Sequence, residues 1–206
     1  MKAGGAAPGP PGYLSKEEGR RVAVYVLLLR GVNVGGAGRL PMADLRGLLE
    51  ELGCVAVETY IQSGNAVFRF AGQSAVLAEA IAERIAERFG FRPAVLLRGV
   101  DAMTAVQDAN PFDSAVNDPK TLMVYFLTRP ATGANLAAMA ALVARGETFQ
   151  LTEAAFYLYA PGGIGRSALA ARVERLLGVP ATARNLRTVA ALAEMARQLA
   201  ETETEC

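Results

Sequence analysis

The residues best placed to do chemistry in this chain are arginines, amides and glycines in a few short segments, and the chain contains no histidine. Zinc sets built on histidine and every histidine-based acid, base or triad are therefore excluded. The first segment is RGVNVGGAGR, residues 30–39, where Arg30 and Asn33 accompany Gly35 and Gly36. Glycine-rich loops of this kind cradle phosphates with backbone amides. The spacing matches neither the dinucleotide fingerprint nor the GxxxxGK phosphate loop, so a plain connector whose glycines relieve backbone strain is the competing reading.

The second segment is QSGN, which offers two amides and a hydroxyl in Gln62, Ser63 and Asn65 around Gly64, or serves only as a turn. The third, TARNLRT, sets Arg184 and Arg187 around Asn185. Asn185 suits a helix N-cap, and a helix start with nearby arginines also favours an anion. A fourth, APGGIGRSA, brings Gly162, Gly163, Arg166 and Ser167 to another helix start, where turn plus cap is the favoured reading. Neither Ser63 nor Ser167 has an evident base, and Lys120 is distant from both in sequence, so covalent catalysis has little support.

The elements that must position these segments follow from hydrophobic period. Residues 22–29, VAVYVLLL, are apolar throughout and read as a strand buried on both faces. A twin-arginine export signal at Arg20 and Arg21 is rejected, because Arg30 ends the run early and β-branched residues fill it. Pro41 opens a helix to about Leu52, with Leu45, Leu48 and Leu49 on one face and Gly53 as its stop. Residues 55–61 and 66–70 flank the Ser-Gly pair as a tight hairpin. That register pairs Gln62 with Asn65, Ile61 with Ala66 and Glu58 with Arg69, and turns Val57, Ile61, Ala66, Phe68 and Phe70 to one face. A helix over residues 74–89, stopped by Gly90, and a strand over 94–97 complete a βαββαβ order.

The order starts again after a connector with a short helix near residues 103–107. Strand 122–127, helix 136–144, strands 148–151 and 155–159 and helix 166–177 follow, with Gly178 matching Gly90. The fold class expected is α+β, two ferredoxin-like βαββαβ units from a diverged duplication. The second has a degenerate last strand and an extra C-terminal helix over residues 187–199. The organisation expected is a flexible Gly/Pro-rich tail over 1–20, a first unit over 21–99, a connector over 100–120, a second unit with its final helix over 121–200, and an acidic tail over 201–206.

Composition narrows the partners. Lys and Arg number 21 against 20 Asp and Glu, so no strong global field draws nucleic acid or anionic lipid. Cys54 and Cys206 lie far apart and do not suggest a disulfide framework, and no stretch approaches the roughly 20 apolar residues of a membrane-spanning helix. A cytoplasmic protein with neither metal nor cofactor is expected.

LLRGVNVGGAGRLPMADLRGLLEELG, TYIQSGNAVF, NPF and ATARNLRTVAAL resemble the signature segments of domain of unknown function family 1697, over about residues 22–199. The resemblance implies a similar duplicated α+β fold and assigns no activity. By motif it places polar positions at Arg30, Asn33, Gly35, Gly36, Gln62, Ser63, Gly64, Asn65, Asn110, Arg184, Asn185 and Thr188. Ala168 and Leu186 depart from the lysine and tryptophan that many members carry there, which weakens the 160–168 loop as a phosphate contact and removes a stacking surface.

In the expected topology the first strand runs antiparallel to the third, so Arg30, Asn33, Gln62 and Asn65 should converge at one sheet end. A guanidinium, two amides and glycine amides there would suit a small anionic or nucleotide-like ligand. The alternatives are a nucleic-acid module using aromatic stacking, a metal-independent hydrolase or transferase, and a structural partner protein.

Overall fold

The computed structural model describes residues 22–34, 38–112, 115 and 117–202. The expected tail over 1–20, Gly35, Gly36 and the end of the acidic tail lie outside the described residues. In chain order the elements are β1 (Val22–Arg30), α1 (Met42–Glu51), β2 (Val55–Tyr60), β3 (Asn65–Ala71), α2 (Ser74–Phe89), β4 (Ala94–Gly99), α3 (Val100–Asp108), β5 (Leu122–Leu127), α4 (Leu136–Ala140), β6 (Thr148–Leu151), β7 (Ala155–Tyr159), α5 (Val173–Leu177), β8 (Ala181–Asn185) and α6 (Leu186–Glu201). They form an α+β chain with two four-stranded antiparallel sheets, ordered β2-β3-β1-β4 and β6-β7-β5-β8.

β1 and β5 are apolar at nearly every position because each is central in its sheet and covered on both faces. Alternate residues then serve different cores. Leu27 and Leu29 pack outward against α1 and α2, while Val24, Val26 and Leu28 point inward. In the other sheet Tyr125 and Leu127 face α4 and α5, and Val124 and Phe126 point inward. The inward sets share one core with α3 and α6, so residues of both sheets and two helices exclude water together.

The helices between the sheets end on donors supplied by the strands. An α-helix leaves its last four carbonyls without intrahelical partners. Tyr157 Oη on β7 donates to Val106 O near the end of α3, at 2.7 Å. Arg69 on β3 donates to Leu199 O at the end of α6, at 2.6 Å, and to Thr202 Oγ1.

Five sequence expectations are corrected. The first hairpin pairs Tyr60 with Asn65, Thr59 with Ala66 and Glu58 with Val67, around the four-residue loop 61–64. The buried Asn65 sets this register by donating to Tyr60 O and Ser63 Oγ across the loop. A bulge at Ala56, with φ 52°, then puts Val55 opposite Arg69, so Glu58 and Arg69 do not pair. Slipping one residue on each strand preserves the pleat, and Ala66 and Phe68 still point to the outer core, but Ile61 is exposed in the loop.

Second, the last strand is not degenerate: β8 pairs with β5 along Ala181–Asn185. Small and polar residues hid a strand whose existence depends on the open edge of β5. Third, the final helix is not peculiar to the second half, since α3 follows β4 directly, as α6 follows β8. Fourth, residues 166–177 are not one helix. Ser167, extended at ψ 117° and accepting from Ala170 N, interrupts it, leaving two 3₁₀ turns and the short α5. α4 also stops at Ala140 rather than Ala144.

Burial pushes the Cys54 thiol and the Tyr125 and Tyr157 phenols up to about 12. The native chain therefore holds these protons after the unfolded chain has begun to lose them. Their contribution to stability is complete below about pH 9 and is lost as pH rises toward 12. Urea midpoints should stay level up to about pH 9 and fall above it. Tyr157→Phe should make that fall shallower and cost about 1–2 kcal/mol at pH 7, because Val106 O loses its donor.

Candidate functional site

The two sheets meet at the C-terminal end of β1, and a guanidinium lies at the junction. Arg184 pairs with Val124 in the ladder, which turns its side chain inward, and the residue is only 8% exposed. Arginine has five N–H donors, and all are used. Nε donates to Asn65 Oδ1 at 2.5 Å, one terminal nitrogen to Thr182 Oγ1 and Ala183 O, and the other to Leu29 O at 2.8 Å and Ser63 O at 3.0 Å.

Every acceptor is neutral, and no carboxylate among the described residues pairs with this cation. Burial lowers the Arg184 pKa to about 10, which leaves the group charged at neutral pH. Its alkaline contribution runs against that of the buried thiol and phenols, because here the unfolded state binds more protons. The charge thus sits in a low-dielectric seam with its hydrogen bonds satisfied and its field uncompensated.

The hairpin tip is shaped around this group. Leu29 N donates to Gly64 O at 2.8 Å, which fixes the loop beside β1. Gly64 has φ 71°, and a Cβ there would stand 2.8 Å from Leu29 Cβ, so only glycine fits. Asn33, at φ 56°, donates from Nδ2 to Leu40 O and Gln62 O and accepts from Leu40 N, tying the glycine-rich loop to the hairpin. Asn185 caps α6 by accepting from Thr188 N at 2.9 Å. A cleft of about 220 Å³ opens over this junction, lined by Ser63, Arg184, Asn185 and Thr188 together with Val34, Ile61 and other apolar residues.

Of the predicted residues, Asn33, Gln62, Ser63, Gly64, Asn65, Arg184 and Asn185 do come together. Arg30 does not join them. It forms an exposed ion pair with Glu174 of α5, in a separate surface depression beside Arg175 and Val179. Alternation alone does not separate them, since Arg30 follows Leu28 on the inward face of β1; as the last residue of the strand it is exposed and pairs with Glu174, whereas the site forms on the carbonyl of Leu29. Asn110 lies elsewhere, in a turn where its Oδ1 accepts from Phe112 N. Sequence reasoning missed Thr182, Val34 and Ile61. The alternation of Thr182 and Arg184 was the available signal, and it went unread because β8 was not taken as a full strand.

A family model described as a protein of unknown function, DUF1697, matches residues 22–157. The chain belongs to the DUF1697 family. Among solved structures it is similar to the conserved bacterial protein SP0830 from Streptococcus pneumoniae, with 27% identity and a TM-score of 0.64 over 85% of this chain and 99% of that one. No curated protein matches it. The hairpin tip and Asn33 fall inside the DUF1697 match, whereas Arg184 and Asn185 lie beyond it.

Because the Arg184 fork holds acceptors from both sheets, Arg184→Lys in this DUF1697 chain should cost about 2–4 kcal/mol despite keeping the charge, as read by urea denaturation. Gly64→Ala should cost about 2 kcal/mol or more through strain and contact with Leu29. Arg30→Ala should stay within about 1 kcal/mol, as expected for an exposed pair.

Proposed function

We propose that this protein binds a small anion in the cleft over Arg184, and that its two halves are a diverged duplication of a ferredoxin-like βαββαβ unit extended by a helix. The observation that carries the binding reading is the buried guanidinium with no carboxylate beside it. An anion in the cleft would supply the missing charge. The Ser63 and Thr188 hydroxyls, which line the cleft, would offer direct donors. A volume near 220 Å³ is below the range for drug-sized ligands, which favours a small anion over a whole nucleotide.

Binding is favoured over acid–base chemistry because no carboxylate, lysine or cysteine lines the cleft among the described residues. It is favoured over base stacking because the central strands β1 and β5 are covered on both faces. A cytoplasmic location belongs to the same reading, supported by the free, buried Cys54. Among the described residues no helix is long and apolar enough to cross a membrane.

Reciprocity between the halves supports duplication. Leu28 faces Asn65 and the next amide bonds Gly64 O; Phe126 faces Ala155 and the next amide bonds Ala154 O. Leu29 and Leu127 are thus equivalent. Arg184 of the second half donates to Leu29 O, and Arg98 of the first donates to Leu127 O at 2.5 Å. Arg98 faces Val26 as Arg184 faces Val124, and α2 and α5 each end on a left-handed glycine, Gly90 and Gly178. The symmetry fails where Asn65 has Ala155 as its counterpart. One end therefore has an amide to orient the arginine and the other does not.

Ligand binding adds to thermal stability by mass action, and a shift of about 4 °C is expected with phosphate or acetate at ten times its dissociation constant. Ser63→Asp, which places a carboxylate beside Arg184, should raise the melting temperature without ligand and abolish that response. No shift with either anion, or an undiminished shift in Ser63→Asp, would refute the site.

A further inference from the structure

The apolar lining of the same cleft narrows the ligand further. Few large hydrophobic side chains are exposed among the described residues, and two of them, Val34 at 65% and Ile61 at 51%, lie at this one cleft. Val32 and Met123 line it as well. Ser63, Arg184, Asn185 and Thr188 are its polar lining, so the cleft combines one cation with a set of apolar side chains.

Ile61 adds an independent observation. It adopts φ 47°, in the left-handed region, where a β-branched side chain is a genuine outlier and where glycine or asparagine would sit without strain. Asn33 and Gly64 fill the neighbouring left-handed positions with the residue types that suit them. At Ile61 the loop instead holds a strained, solvent-exposed apolar residue at the cleft mouth, where neither local conformation nor core packing accounts for it. Strain of this kind is kept where an outside contact uses the side chain.

Resting on the anion reading, we infer that the ligand is a small carboxylate carrying a short apolar chain. Its head lies over Arg184 and the start of α6, and its chain lies against Ile61, Val34 and Val32. A single cation favours a monoanion, and the volume leaves room for only a few methylenes beyond the head.

Titration calorimetry on the full chain with acetate, butyrate, hexanoate, hexanol and inorganic phosphate tests this inference. Affinity should rise about fourfold for each methylene from acetate to butyrate and level off once the chain fills the cleft. Hexanol should bind at least tenfold more weakly than hexanoate. Ile61→Asn should raise the melting temperature, since strain is relieved, and lower the hexanoate-to-acetate affinity ratio at least fourfold. A residue that only shapes the loop would not show both effects. Binding of acetate or phosphate with no gain from chain length overturns the chain inference and leaves the anion site standing. Equal binding of hexanol and hexanoate, or an unchanged ratio in Ile61→Asn, also overturns it. If no anion binds, both readings fall.

Discussion

Taking a guanidinium out of water costs several kcal/mol unless every N–H finds an acceptor, and this chain meets that demand for Arg184 with groups drawn from both of its sheets. Leu29 O and Ser63 O come from one sheet and its hairpin, Thr182 and Ala183 from the other. The arginine therefore couples the halves: neither can shift against the other without leaving buried polar atoms unpaired. The apolar residues shared by β1, β5, α3 and α6 provide non-directional attraction, while the arginine fork provides orientation.

The same arrangement explains why the hairpin tip has the residues it has. Asn65 is fully buried because it serves the loop and the arginine at once, its amide nitrogen closing the turn and its oxygen accepting from Nε. Gly64 is required by the approach of Leu29, and Asn33 by the need to satisfy Leu40 and Gln62 from a left-handed backbone. Read as a diverged duplication, the chain keeps reciprocal arginines at both ends of its interface, and the Arg184 end has the amide of Asn65 and the Asn185 cap where the Arg98 end has Ala155 and an uncapped Gly99. On this view a contact that first held two copies together was elaborated on one side into a binding site.

The hydrophobic pattern revealed the central strands, the helices on the outer layers and the all-round burial of β1, because period and composition report burial directly. It was a poor guide to the 166–177 segment and to β8. In the first, the Ser167 side chain competes for a backbone donor and breaks a helix that apolar spacing alone would allow. In the second, Ala-Thr-Ala-Arg-Asn has little strand character, and only the free edge of β5 makes it one. The hairpin register was likewise decided by Asn65, whose buried amide outweighs the exposed charge pair that the sequence suggested.

The amino-acid sequence by itself determined the class of fold, the order of its elements, the exclusion of histidine chemistry and the short segments that meet at the site, since these depend on local period, composition and turn chemistry. The tertiary structure alone decided which arginine belongs to that site. Arg30 and Arg184 look equally suitable along the chain, but Arg30 lies at the exposed end of β1, where it pairs with Glu174, while the β5 edge carries Arg184 inward to Asn65 and Leu29. Whether a charge ends up hydrated beside a carboxylate or buried without one depends on how far along its strand it lies and on what another sheet brings opposite, and no local stretch of sequence contains that information.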